Sequence, residues 1–269
     1  MNLNALTVGQ YFPGKSLLHR LDPRTKILAV ITLSVAIFLP KAWPGYTLMA
    51  LLVLCSVALA QVPILFILRG LRPIMIFLAI TVVFNAFLTP GEPILVIGKW
   101  DITREGLVLS VVAAVRLIML VVVASLLTLT TSPIRLTDGF ERLLRPFSPL
   151  GVPAHELALM MTIALRFIPT LADEADRIMK AQAARGADFQ SGNAVSRIKG
   201  LVPVMVPLFV AAFRRADDLA TAMEARGYRG GKGRTKMREL EFTGRDLVAL
   251  VLVGAVLAGV IYLRVTGLG

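Results

Sequence analysis

The sequence predicts an all-α protein, a polytopic membrane helical bundle that also carries two long amphipathic helices. Three observations predict this. Hydrophobic residues make up 56% of the 269 and charged residues 17%, whereas a soluble domain has roughly 45–50% and about 25%. The apolar residues are gathered in blocks, giving a mean hydropathy of +0.75, which is the pattern of membrane spans and not of one large soluble core. The 29 Lys and Arg outnumber the 17 Asp and Glu, a net charge of +12, and they cluster between the blocks as in the basic loops of a membrane protein.

Five blocks carry the span signal: residues 26–39, 45–68, 73–88, 106–129 and 247–263. A span needs about 20 residues, so the first block is short and borrows flanking residues. Pro63 is positioned to end the second block early, because an internal proline removes a helix hydrogen bond. Lys15, Arg20, Arg24 and Lys26 precede the first block, and Arg69 and Arg72 are read as the loop between the second and third. Most remaining basic residues fall in 131–245. The positive-inside rule then puts the N-terminus, the Arg69 loop and residues 131–245 in the cytoplasm. Residues 92–103, EPILVIGKWDIT, alternate weakly about Gly98-Lys99 and suggest a small external hairpin. The domain expectation is a four-span bundle at 1–130, a cytoplasmic domain at 131–245 and a last span at 246–269, with five to seven spans in total.

Between residues 131 and 245 the pattern changes. Residues 134–144 place Leu136, Phe140, Leu143 and Leu144 at helical spacing among charged residues, an amphipathic surface helix. Pro146, Pro149, Gly151 and Pro153 break it. Two similar helices follow, each apolar and proline-bearing at its start and polar toward its end. At an offset of 41 residues, Ala175-Asp176 repeats as Ala216-Asp217, and Ala184-Arg185-Gly186 as Ala225-Arg226-Gly227. Two readings fit these tripeptides. Glycine just past a helix end and arginine in its last turn are ordinary terminators. An arginine at a helix tip also offers a permanently charged fork to an acidic groove. The residues alone leave both open.

Other signals are weaker. Residues 9–16, GQYFPGKS, match G-x-x-x-x-G-K-S. A nucleotide-binding loop follows a buried strand and opens a helix within an α/β domain; that context is lacking, so the match reads as accidental. His19 and His155 lie far apart, with no cysteine cluster for a metal site, and Asp173, Glu174 and Asp176 alternate with Arg177 and Lys180 as a solvated ion-paired face. No catalytic residue, metal ligand or cofactor site is expected. Arg116 lies mid-span with no ionic partner named by the sequence and receives no role. Cys55 stands alone and does not report the compartment, and the N-terminus lacks the form of a signal peptide. The basic run at residues 232–238 reads as a loop near anionic lipid, not as a nucleic-acid site.

Leu21-Asp22-Pro23-Arg24-Thr25-Lys26, the preceding GQYFPGKSLLHR, Thr130-Thr131-Ser132-Pro133, the ALRFIP segment at residues 164–169 and the paired Ala-Arg-Gly ends occur in one order along the chain. In this combination the chain resembles the transmembrane (T) component of energy-coupling factor (ECF) transporters, over nearly its whole length. The resemblance implies a non-catalytic subunit of an ATP-driven importer of a vitamin or transition-metal ion in the prokaryotic inner membrane. It implies two ABC-type ATPase partners and a substrate-binding membrane S component. It also implies that Ala184, Arg185, Gly186, Ala225, Arg226 and Gly227 dock on the ATPases, at the ends of coupling helices. A conventional ABC permease is the alternative; it would show a single coupling helix with a Glu-Ala-Ala…Gly loop, which Glu174-Ala175-Asp176 matches poorly. A membrane-embedded enzyme would need several polar residues at membrane depth, and the blocks supply few.

Overall fold

The computed structural model describes residues 11–97, 100–187, 194–231 and 240–266. The chain forms two compact units, one of Gly9–Gly139 with Leu240–Gly269, the other containing Phe140–Glu239. Gly9 and Gln10 of the nucleotide-loop match, Gly98-Lys99 and the basic run 232–238 lie outside the described residues.

The first unit is a helical bundle. A single turn, α1 (Leu17–Arg20), leads into α2 (Pro23–Ala36). Asp22 caps α2 by accepting the Arg24 N–H at 2.8 Å, and Pro23 takes the first helical position, where its missing N–H costs nothing. Helix α3 (Trp43–Ala60) ends where Gln61 turns into the left-handed region at φ 52° and Pro63 follows. Helix α4 (Ile64–Leu71) continues through one 3-10 turn at Arg72–Ile74 into α5 (Met75–Leu88). The block 45–68 is broken at Gln61–Pro63, the early end expected of Pro63, and its tail joins the next span. One expectation is corrected: Arg69 and Arg72 stand on a helix and not in a loop. The reason is local: Pro73 is absorbed by a tighter turn whose bonds need no N–H from it. The Arg69 guanidinium lies over the Phe66 ring, 5.4 Å from its centroid.

Strands β1 (Pro93–Ile97) and β2 (Trp100–Thr103) pair antiparallel, the expected hairpin. Thr103 then caps α6 (Arg104–Thr130) by accepting the Gly106 N–H. Helix α6 runs close to α5: the Ser110 hydroxyl donates to the Val82 carbonyl at 2.9 Å, and a Cβ at Gly106 would stand 2.7 Å from the Asn85 carbonyl oxygen. Small residues at such crossings let membrane helices pack by direct contact. Helix α10 (Gly244–Val265) closes the bundle against α2 and α3. One apolar cluster, with Ile37, Met49, Leu126, Leu129 and Val260 among its most buried members, joins α2, α3, α4, α6 and α10.

Helix α7 (Pro133–Leu144) is the expected amphipathic helix and passes from the first unit into the second. The second unit holds α8 (Ala154–Ala184) and α9 (Ala194–Ala225), with Pro169 inside α8 and Pro203 and Pro207 inside α9. Among the described residues, five helical runs are long and apolar enough to cross a membrane: Trp43–Ala60, Ile64–Leu88, Arg104–Thr130, Ala154–Ala184 and Gly244–Val265. They are not the five expected blocks. The first block yields only the 14-residue α2, while α8 enters the set because its apolar first half is continuous with a long polar second half. The protein is an all-α, multi-pass membrane protein.

Candidate functional site

Helices α8 and α9 end alike. Arg185 closes α8, the Gly186 N–H bonds the Ala183 carbonyl and the Ala187 N–H bonds the Gln182 carbonyl, both at 3.0 Å. At α9 the Gly227 N–H bonds the Glu224 carbonyl at 2.8 Å and the Tyr228 N–H bonds the Met223 carbonyl at 3.0 Å. Each pair is the double bond of a Schellman motif, which requires a left-handed residue after the cap. Gly186 has φ 89° and Gly227 φ 70°. A Cβ at either glycine would touch nothing within 4 Å, so backbone conformation and not space selects glycine there.

The termination reading of Ala184-Arg185-Gly186 and Ala225-Arg226-Gly227 is therefore physically real, and it accounts for the glycines. It does not account for the arginines. Ala184, Arg185, Gly186, Ala225, Arg226 and Gly227 are all exposed, and neither arginine side chain has a hydrogen-bond or ion-pair partner among the described residues. Each tip thus presents a guanidinium that is unpartnered among the described residues, on a helix end with a fixed geometry.

The two helices also touch at equivalent positions of the repeat. Arg215 donates to Glu174 at 2.7 Å, and these residues are 41 apart, the repeat offset. Gln182 lies against the Pro203 carbonyl at 3.5 Å, so the contacts run in opposite directions along the two helices. A repeat that crosses itself in this way sets a position against its own counterpart. Two identical charges there would repel, and Glu opposite Arg attracts. Arg185 and Arg226 each lie eleven residues beyond their member of this pair, about 16 Å along the helix. Only part of the acidic group behaves as the sequence predicts: Asp176 pairs with Lys180 one turn on, at 2.6 Å, but Glu174 pairs across the helices. The 41-residue offset was the available signal for that partner.

In the bundle unit, the segment 21–26 proves to be a junction. The Asp22 N–H donates to Asp246 Oδ1 at 2.7 Å, and Asp246 Oδ2 accepts the Thr243 N–H at 2.9 Å, which ties the starts of α2 and α10. Arg24 binds its neighbour Asp22 and the Leu240 carbonyl. Lys26 Nζ donates to the Thr130 carbonyl at 2.9 Å and to Thr131 Oγ1 at 3.0 Å, tying α2 to the end of α6. Asp246, 224 residues from Asp22, carried no signal of this role in the sequence. Arg116 also finds its place: it donates to the Pro40 carbonyl at 3.0 Å and to the Tyr46 hydroxyl, which itself donates to Pro40. It pins the α2–α3 turn through one end of its guanidinium, while its Nε is buried with no hydrogen-bond partner among the described residues. Of the residues matching a nucleotide loop, Ser16 bonds His19 Nδ1 at 2.6 Å, which engages the hydroxyl that such a loop offers to magnesium. Among the described residues no group of three or more His, Cys, Asp or Glu is placed to hold a metal ion.

Residues 14–237 match the family described as Cobalt transport protein (CbiQ). The chain is 54% identical over 262 residues to the energy-coupling factor transporter transmembrane protein of Thermosediminibacter oceani, covering 97% of this chain and 99% of that one. It is 54% identical to the protein of that name from Clostridium kluyveri, over 92% of this chain and 94% of that one. With the Bacillus subtilis protein it shares 47% identity, over 95% of this chain and 98% of its relative.

Proposed function

The chain belongs to the CbiQ family and is an energy-coupling factor transporter transmembrane (T) component, and on that premise we propose that it couples ATP hydrolysis by two cytoplasmic ABC-type ATPases to a substrate-binding membrane S component. The cargo is a vitamin or transition-metal ion chosen by the S component. The N-terminus and residues 131–245 face the cytoplasm, and ATP is bound and hydrolysed by the partners.

The observation that carries this reading is the pair of unpartnered arginines on matching helix ends. Arg185 and Arg226 dock one on each ATPase, each fork meeting a carboxylate in a groove. Ala184 and Ala225 keep the approach narrow, and Gly186 and Gly227 turn the chain out of the way. Because α8 and α9 cross with opposed directions at Glu174–Arg215, the tips leave that crossing along different paths, which suits two separate ATPases. When nucleotide draws the ATPases together, the tips follow, and the helices carry the displacement to their apolar halves. Work is transmitted only because ATP favours one arrangement of the complex over the other.

The test is co-purification of the ATPases with Arg185→Ala, Arg226→Ala and the double variant, from membranes, in mild detergent. Truncating one member of a buried charge pair costs about 2–5 kcal/mol. Each single variant should therefore weaken retention at least tenfold, the double should abolish it, and membrane insertion should be unchanged. Normal ATPase retention and transport by the double variant would sink the assignment.

A further inference from the structure

The bundle unit holds a half-open cavity of about 630 Å³ whose wall is formed by α1, α2, α3, α6 and α10. Its interior is apolar, with Leu33, Leu52, Leu126 and Val253 on four different helices. Its polar residues gather at one end: Lys26 near the start of α2, Thr130 at the end of α6, and Thr243 and Arg245 at the start of α10. Along α10 the wall runs from Thr243 to Val253, about 15 Å at helical rise, half of a hydrocarbon core about 30 Å thick. The cavity therefore spans one leaflet, with its polar mouth at the headgroup level.

Three features of that mouth point to an anion. Among the described residues no carboxylate lines the cavity, although two cations do. Asp22 and Asp246, the nearby acids, are engaged by Arg24 and by main-chain N–H groups. Arg245 is exposed with no partner among the described residues, and Lys26 uses two of its three donors. An apolar wall beneath a cationic mouth suits an acyl chain below an anionic headgroup.

We infer that this cavity is a binding site for an anionic glycerophospholipid of the leaflet at the basic end of the bundle, its phosphate held at Arg245 and Lys26 and its acyl chain lying between α2, α3, α6 and α10. The lipid completes the packing of the bundle at the junction that Lys26 and Asp246 tie together.

The experiment is native mass spectrometry of the full-length protein in detergent, titrated with dioleoylphosphatidylglycerol or dioleoylphosphatidylcholine, with thermal unfolding in parallel. The anionic lipid should bind about fivefold or more tightly, the worth of one basic contact at a membrane surface, and raise the unfolding temperature further. Because Lys26 also holds α2 to α6, the decisive variant is Arg245→Ala. It should erase the preference for phosphatidylglycerol and leave phosphatidylcholine binding unchanged. Ala249→Phe, which fills the interior, should weaken both lipids. Equal affinity for the two lipids, a preference that survives Arg245→Ala, or occupation of the cavity by a peptide segment instead of lipid would overturn the site.

Discussion

The bundle unit and the helix-pair unit hold themselves together in different ways. In the bundle, a continuous apolar cluster joins five helices, and polar ties link residues far apart in sequence: Lys26 to Thr130, Asp22 to Asp246, Arg116 to Pro40. In Phe140–Glu239 the buried hydrophobic side chains among the described residues are Ala154, Ala158 and Val204. Met160, Met161, Val206, Phe209 and Phe213 are exposed. An apolar surface of this extent on long helices marks a contact with lipid or protein. The bundle keeps a buried apolar cluster of its own, whereas the cross-helix bonds of the helix pair position the tips more than they bury surface.

That contrast can be broken by substitutions whose effects should fall on stability in one unit and on assembly in the other. The largest expected effect is Asp246→Ala. Asp246 is 1% exposed and accepts two main-chain N–H groups. Removing it leaves both donors unpaired and uncaps α10, at a cost of about 3–5 kcal/mol. The unfolding temperature in detergent should drop sharply, and Asp246→Asn should recover part of it. An unchanged melting temperature would show that the junction contributes little to the bundle.

A middle effect is expected at the tips. Valine at position 186 or 227 must adopt a positive φ, at about 1–2 kcal/mol. Gly186→Val and Gly227→Val should fray the last turn, visible as faster hydrogen exchange there, and reduce ATPase retention while the global unfolding temperature stays within a few degrees. A large global loss would show the tips to be part of a cooperative core.

The smallest effect on stability belongs to Glu174–Arg215. Both side chains are about one-third exposed, so solvent screening limits the pair to about 1 kcal/mol or less. Glu174→Arg should nevertheless impair transport by setting two cations against each other at the crossing. The exchange Glu174→Arg with Arg215→Glu should restore it, a coupling that a double-mutant cycle measures. Failure of the exchange to rescue would mean that the residues act separately.

Much of this protein was legible without coordinates because membranes impose simple rules. A bilayer demands long apolar helices with internally satisfied backbones, so the blocks at 106–129 and 247–263 correspond closely to α6 and α10. Alternation about Gly98-Lys99 marked the hairpin, and the 41-residue repeat marked two helices with matching ends. Boundaries that hinge on single residues were less legible. Gln61 in a left-handed turn and a 3-10 turn at Pro73 moved a helix break by several residues and turned an expected loop into helix. Hydropathy averages over windows and does not register one backbone angle.

By itself the sequence determined the membrane class, the helical content, the paired Ala-Arg-Gly ends and the kinship those motifs carry, because each depends on local pattern or on residue order. Only the tertiary structure decided that Arg116 pins a turn, that Asp22 and Asp246 join the starts of two helices, and that Glu174 meets its own repeat counterpart across α8 and α9. A hydrogen bond between residues 224 apart leaves no periodicity in the chain. It exists only after burial has brought the two helix starts together and removed the water that would otherwise satisfy them.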